Sequence, residues 1–245
     1  MNPLSVQGLC KSFGGLRVTS NVCLEVAAGE RRLIIGPNGA GKTTLFNLIG
    51  GEITPDSGTV SVLGRDITRS PSRARARLGI ARTYQIITLF PHDTLIRNVS
   101  MALMGLMPLR WNPIVNLNKR RDIADQAQDA LARVNLAHLG DRKLSETSYG
   151  ERRRVEIAMA LAQRPRVLLL DEPLAGLSVG ERLSVQDLLL SIPRDVTTVM
   201  IEHDMDVALR FAERITLMNF GSVILDGTRE EVVNAPETKE VYFAA

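Results

Sequence analysis

The sequence predicts an α/β protein, with a parallel-stranded core, an antiparallel sheet near the N-terminus and a mostly helical insert. Three observations predict it. Apolar runs at Leu33–Ile35 and Val167–Leu170 continue without interruption and then end in polar residues, as parallel strands buried on both faces do. Segments with apolar residues at helical spacing lie between such runs, and strands alternating with helices build an α/β core. Val22, Leu24 and Val26 instead alternate with Cys23 and Glu25, the period of a half-buried strand.

Taken in chain order, that alternating strand is followed by the buried run at Leu33, a glycine-rich turn and the helical run TLFNLI. ITPDSGTVSV from Ile53 reads as a turn and a second half-buried strand. From about Phe90 to Ser148 no convincing buried strand occurs. In that region Ile123, Ala127, Ala130, Leu131 and Val134 share one helix face. Val155, Ala158, Met159 and Ala162 do the same after it, as do Met205, Ala208, Leu209 and Ala212. Val196–Ile201 is a third candidate parallel strand. Thr228 and Glu231 form a capping box for a short helix that Pro236 is expected to end.

Bulk properties exclude several classes. A chain of 245 residues with 44% hydrophobic and 23% charged residues has the composition of a globular protein with a proper core. Its net charge of +3 comes from arginines scattered among nearly as many acids, so no nucleic-acid stripe is expected. Arg73, Arg75 and Arg77, the densest group, are two apart and should spread around a solvated helix face. Two cysteines, Cys10 and Cys23, are too few for a disulfide framework and lack metal-ligand spacing, which fits a reduced compartment. The N-terminus lacks a basic region followed by an apolar run, and Val99–Leu109 is far short of a membrane helix of roughly 20 residues. The chain is expected neither to be exported by that route nor to span a membrane.

GPNGAGKT at Gly36–Thr43 fits G-x-x-x-x-G-K-[ST] in the context that pattern needs, after an apolar strand and before a helix. Glycines let successive N–H groups turn inward toward phosphate oxygens, and the helix start adds its positive end. Lys42 would reach the β- and γ-phosphates and the Thr43 hydroxyl would hold Mg²⁺. VLLLDEP at Val167–Pro173 delivers Asp171 and Glu172 to the carboxyl end of a buried strand, where open parallel sheets bind ligands and an aspartate can hold the metal.

A second helix start, TSYGE at Thr147–Glu151, also looks suited to an anion. Ser148 and Glu151 fit S-x-x-E, so the serine caps the helix and the glutamate reciprocates, which leaves the other N–H groups available. With the phosphate loop, Gln85 in ARTYQ, this turn, VLLLDE and His203 in IEHDM standing in order, nearly the whole chain resembles an ATP-binding subunit of the ABC transporter class. The resemblance implies a P-loop NTPase core with an inserted helical subdomain. The core and antiparallel β subdomain would span about 1–89 and 149–245 and the helical subdomain about 90–148, together forming one cassette.

It also implies the site. The loop residues Gly36, Pro37, Asn38, Gly39, Ala40, Gly41, Lys42, Thr43 and Thr44 would wrap ATP, with Phe13 stacked on its adenine. Thr43, Asp171 and Gln85 would hold Mg²⁺, Glu172 would orient and deprotonate the attacking water, and His203 would hydrogen-bond the γ-phosphate. Ser148 and Gly150 would face the γ-phosphate held by a second ATP-binding subunit, so that two subunits sandwich two ATP molecules head to tail. Gln85, where nucleotide site meets helical insert, would report the γ-phosphate to a docked membrane partner. Expected partners are integral membrane permease subunits, a second ATP-binding subunit and, indirectly, a periplasmic solute-binding protein, with the chain on the cytoplasmic face of the cell membrane and no nucleic acid involved.

Departures from the family pattern are specific. The common L-S-G-G-Q is here Thr147–Glu151, which keeps the serine and second glycine, and the dimer-facing loop after VLLLDEP carries Ser178 where an aspartate is usual. RTYQ, SYGE, AGL without aspartate, IEHDMDVA and MPLRWNPIVNLNKRRD resemble subunits of branched-chain or hydrophobic amino acid uptake systems, whose relatives also import urea, short amides and aromatic acids. A soluble ABC ATPase of DNA repair, translation or cluster assembly is the alternative. It would favour a long coiled coil, a second phosphate loop or a basic nucleic-acid face, and the sequence has none of these.

Overall fold

A computed structural model of the chain describes residues 2–84, 89–107, 120–203 and 209–243. They fall into two compact units, one of Met1–Ile80, Arg166–Glu172 and Ile192–Ala245, the other of Ala81–Pro165 and Pro173–Ser191.

The first unit holds two sheets. β1 (Leu4–Phe13) and β2 (Leu16–Val26) pair antiparallel, and β4 (Ser57–Val62) and β5 (Arg65–Asp66) extend the sheet in the order β2-β1-β4-β5. The second sheet has the order β10-β9-β3-β8-β7-β6. Its centre is β3 (Arg31–Ile35), parallel to β8 (Thr197–Ile201) on one side and β9 (Arg214–Asn219) on the other, with β7 (Val167–Asp171) parallel to β8. β10 (Ser222–Thr228) pairs antiparallel with β9 at one edge, and the last strand in the order is β6 (Ile80–Arg82), of which Ile80 belongs to this unit. Every residue of β7 and β8 is buried, which is why those runs carry no polar alternation.

Helix α1 (Lys42–Gly50) leaves β3 and enters the main core, where Leu45, Phe46, Leu48 and Ile49 cluster with Leu4, Val6, Leu9 and Leu24 of one sheet and Ile34, Leu169, Val199 and Ile201 of the other. Full burial of such side chains contributes about 1.5–3 kcal/mol each as an upper figure, enough to fix the helix without help from propensity. Of the three clustered arginines, Arg73 and Arg77 are exposed as expected, but Arg75 in α2 (Ser72–Arg77) is 1% exposed. Its guanidinium donates to the carbonyls of Leu48 and Ile49 at 2.6 and 2.8 Å, and to those of Ser70 and Thr68 at 2.8 Å each. Two of those acceptors end α1, so the cation is buried because it satisfies a helix C-terminus.

The capping box forms as read: Thr228 accepts from the Glu231 amide and Glu231 from the Thr228 amide at the start of α7 (Arg229–Asn234). Pro236 does more than end that helix. It opens α8 (Pro236–Phe243), the first-turn position where its missing N–H costs nothing. Cys10 and Cys23 are free thiols.

The second unit is helical. α3 (Leu95–Leu106), α4 (Arg121–Arg133) and α5 (Tyr149–Ala162) pack on one another, and α6 (Val179–Ser191) packs on α5. α4 buries Ile123, Ala127, Ala130 and Leu131, the expected face. α5 buries Val155 and Ala158 as expected, but also Arg153, Glu156, Ile157, Ala160 and Leu161, while Met159 and Ala162 are half-buried. Packed between α3 and α4 on one side and α6 on another, it has no single apolar stripe. These units divide the chain differently from the boundaries read in the sequence, because α5 and α6 pack with the insert helices. Of the expected face at Met205, Ala208, Leu209 and Ala212, Met205 and Ala208 lie outside the described residues.

Arg75→Ala should destabilise the protein by about 3 kcal/mol or more, read from the urea unfolding midpoint, since four carbonyls lose a charged donor at once. Arg75→Lys, with three donors at most, should fall between. A loss under about 1 kcal/mol for the alanine variant would mean that those carbonyls find other partners.

Candidate active site

The parallel register builds the site. Ile34 of β3 stands opposite Ile201 of β8, and Ile201 stands opposite Asp171 of β7, so three strands end together at one edge. Gly36–Gly41 issue from the first, Glu202 and His203 from the second, and Glu172 from the third. With strands about 4.8 Å apart, the loop and the acidic pair are separated by about 10 Å, the width of one intervening strand.

The loop after β3 arrives at α1 through Gly41, which has φ 96° and provides no side-chain cap, and the first turn of α1 contains no acid. A Cβ on Gly41 would lie 2.5 Å from the Val18 carbonyl oxygen, so both the left-handed backbone and the close approach of β2 require glycine. The helix therefore begins with amides that no capping side chain takes, beside a cation. Lys42 is 6% exposed, and its Nζ donates to the carbonyls of Gly36 at 2.7 Å and Pro37 at 2.9 Å. Burial pulls its ammonium below the ordinary lysine value, while the carboxylates of Glu172 and Asp171 pull the other way. Pro37 and Thr44 are half-buried, Ala40 is buried, and Asn38, Gly39 and Thr43 are exposed. The loop's own amides, Lys42 and the α1 start make an anion cradle.

Asp171 is 2% exposed at the end of β7. Glu172 follows with φ 46°, a left-handed conformation that costs a non-glycine residue of order 1–3 kcal/mol. Its amide donates to the Ile201 carbonyl at 2.9 Å, which ties the turn to β8. The turned side chain meets His203, whose Nε2 lies 2.9 Å from Glu172 Oε1. His203 is thus brought to the acidic pair. The donor set of Thr43 hydroxyl and Asp171 carboxylate is all oxygen, which fits a hard cation such as Mg²⁺. An anion cradle facing two carboxylates and a histidine can bind a polyphosphate and activate water against it.

Phe13, at the end of β1, is 48% exposed, with the Lys11 ammonium 5.6 Å from its ring centroid, so the ring has a free face. Gln85 lies outside the described residues. The residue before it is held in the second unit by a pair on α5: the Tyr84 amide donates to Glu156 at 2.8 Å, and Arg153 donates to the Tyr84 carbonyl at 2.8 Å and to Glu156 at 2.6 Å.

Ser148 and Gly150 start α5, with the capping box formed: Ser148 Oγ accepts from the Glu151 amide at 3.1 Å and Glu151 accepts from the Ser148 amide at 2.8 Å. Two further donors of this turn are already taken. Ser148 Oγ–H and the Gly150 amide each donate at 2.9 Å to Glu181, which the sequence reading did not single out. The Ser178 hydroxyl first, then the Gly150 and Ser178 amides and the Ser148 hydroxyl, hold the Glu181 carboxyl down at about 2. The missed signal was S-x-x-E at Ser178–Glu181, a capping pattern for α6. Arg153 and Glu156 left no such trace, because charges three apart on a helix read as solvated.

The sequence pattern of the ABC transporter family matches residues 19–175. The chain is 35% identical over 98% of its length to the high-affinity branched-chain amino acid transport ATP-binding protein LivG of Salmonella typhimurium, covering 97% of that relative, and equally to BraF of Pseudomonas aeruginosa. It is also 35% identical to the sulfate/thiosulfate import ATP-binding protein CysA of Vibrio vulnificus, but covers 67% of it. Among solved structures, the ADP conformation of MJ1267, an ATP-binding cassette of an ABC transporter, is 30% identical with a TM-score of 0.87 over 100% of both chains. A dimeric post-hydrolysis cassette, MJ0796 with ADP and Pi, is 27% identical with a TM-score of 0.77, covering 92% of this chain and 98% of that one. Sequence, sheet topology and the meeting of a phosphate loop with an acidic strand end agree: the chain belongs to the ABC transporter family, as one of its ATP-hydrolysing subunits.

Proposed function

We propose that this subunit energises uptake of branched-chain or closely related hydrophobic amino acids, from the cytoplasmic face of the cell membrane and against permease subunits that bind the solute's receptor outside. The carrying observation is the end-to-end match to LivG and BraF, whereas CysA is matched over only 67% of its length. Among the described residues no helix is long and apolar enough to cross a membrane, so passage of the solute falls to the partners.

In this reading Gly36–Thr44 wrap the phosphates of ATP, and Lys42 exchanges its two carbonyl contacts for phosphate oxygens. Phe13 presents its open ring face to the adenine. Thr43, Asp171 and Gln85 hold Mg²⁺, which supplies charge neutralisation on the phosphates when bound. Glu172 takes a proton from the attacking water, whose oxygen forms the new bond to the γ-phosphorus as the bond to ADP breaks. His203, 2.9 Å from Glu172, orients that carboxylate and reaches the γ-phosphate. Ser148 and Gly150 meet the γ-phosphate of a second ATP-binding subunit, so nucleotide stabilises the closed pair and hydrolysis releases it.

Lys42→Ala should weaken ATP binding roughly 30- to 1000-fold, the loss of about 2–4 kcal/mol of charged contacts, in a titration with fluorescent nucleotide; unchanged affinity removes the lysine from the site. Glu172→Gln should lower kcat by at least about 100-fold while leaving ATP binding intact, and should accumulate an ATP-dependent dimer in sedimentation. A monomer with and without ATP counts against the sandwich. The solute assignment is tested by purifying the subunit with its companions from native membranes and assaying leucine, isoleucine and valine uptake in reconstituted vesicles; ATP-driven transport of an unrelated solute alone would overturn it.

A further inference from the structure

The Glu181 carboxylate lies between two helix starts. Its Oε2 accepts from the Ser178 amide at 3.1 Å and the Ser178 hydroxyl at 2.7 Å, serving the start of α6. Its Oε1 accepts from the Ser148 hydroxyl and the Gly150 amide, both at 2.9 Å, serving the start of α5. The fit is close enough that a Cβ on Gly150 would lie 2.6 Å from Glu181 Cγ. The two donors taken by Oε1 are the same two that the proposed γ-phosphate contact requires. One oxygen cannot be replaced by another while the first remains, and two anions at one helix start repel.

We propose that Glu181 is a resident anion of the Ser148 turn, which a γ-phosphate presented by a second subunit must displace before the sandwich closes. This rests on the reading that Ser148 and Gly150 contact that phosphate. The carboxylate has a path out: the side chain is only half-buried, and its Oε2 can stay on Ser178 while Oε1 swings into solvent. Without a phosphate the turn is kept ordered and its charge-seeking donors satisfied. With one, the entering group competes against a neighbour already in place, so closure answers to a full phosphate dianion better than to a weaker anion. The usual aspartate of the dimer-facing loop is absent at Ser178, and the carboxylate that touches this loop comes instead from one turn further along.

The test measures the ATP concentration at which half the protein sediments as dimer, in the Glu172→Gln background. Adding Glu181→Ala should lower that concentration about tenfold, the difference between displacing a charged acceptor and none. Adding Glu181→Gln should lower it by a smaller factor. Damage to the α6 start alone would raise it, so the direction of change separates displacement from a merely structural role. An unchanged or raised value for both variants overturns the proposal. Ser148→Phe in the same background tests the underlying reading: if it dimerises as the parent does, the phosphate contact itself fails and the inference goes with it. If it abolishes dimerisation while the Glu181 variants do not tighten it, only the resident anion is refuted.

Discussion

The side-by-side ending of β3, β8 and β7 is the constraint on which the rest depends. Pairing of Ile34 with Ile201 and of Ile201 with Asp171 places a glycine loop, a histidine turn and an acidic turn on one line. A one-residue slip of a parallel ladder would move every side chain to the opposite face of the sheet, and since β7 and β8 are buried throughout, each side chain would then meet packing shaped for its neighbour. The chemistry is thus aligned by hydrophobic burial some distance below it. The left-handed Glu172 then turns the side chain off the strand's line toward His203, a local strain held by the bond from its amide to Ile201.

The candidate site was largely legible because each part follows a buried strand or starts a helix, and such junctions carry their own residue patterns. β3, β7 and β8 show as uninterrupted apolar runs, and the capping boxes at Ser148 and Thr228 show as spaced pairs. β9 does not stand out in the sequence, because Ile215, Leu217 and Met218 are interrupted by Thr216 and a stretch that short has no period to distinguish strand from helix. The burial of Arg75 is invisible in the sequence for a deeper reason. Its acceptors are carbonyls at Ser70, Thr68, Leu48 and Ile49, and no local pattern announces that a distant helix needs a cation beneath its last turn. Pro236 shows the same ambiguity on a small scale, since a residue that cannot continue one helix is well suited to begin another.

Glu181 and the Arg153–Glu156 pair share a character. Each reads as an ordinary surface charge in sequence, and each is a contact between segments of the second unit. The buried pair on α5 takes both backbone groups of Tyr84, and the carboxylate from α6 takes donors at the start of the same helix. Helix α5 therefore has polar fixtures near its start and on its flank, and the segment entering Gln85 takes its position from it. The departures of this chain from the common family pattern cluster around the same helix start, where Tyr149 and Ser178 replace a glycine and an aspartate.

Arg75 gives helix α1 an electrostatic polarity that exists before any ligand binds. The helix has nine residues, so its ends are only about 14 Å apart, and an uncompensated tail would weaken the potential at its head. A guanidinium fixed on the Leu48 and Ile49 carbonyls removes that opposition, much as grounding one terminal of a battery leaves the other at full voltage. The attraction felt by a polyphosphate at Lys42 is then set partly by a side chain that never comes near it.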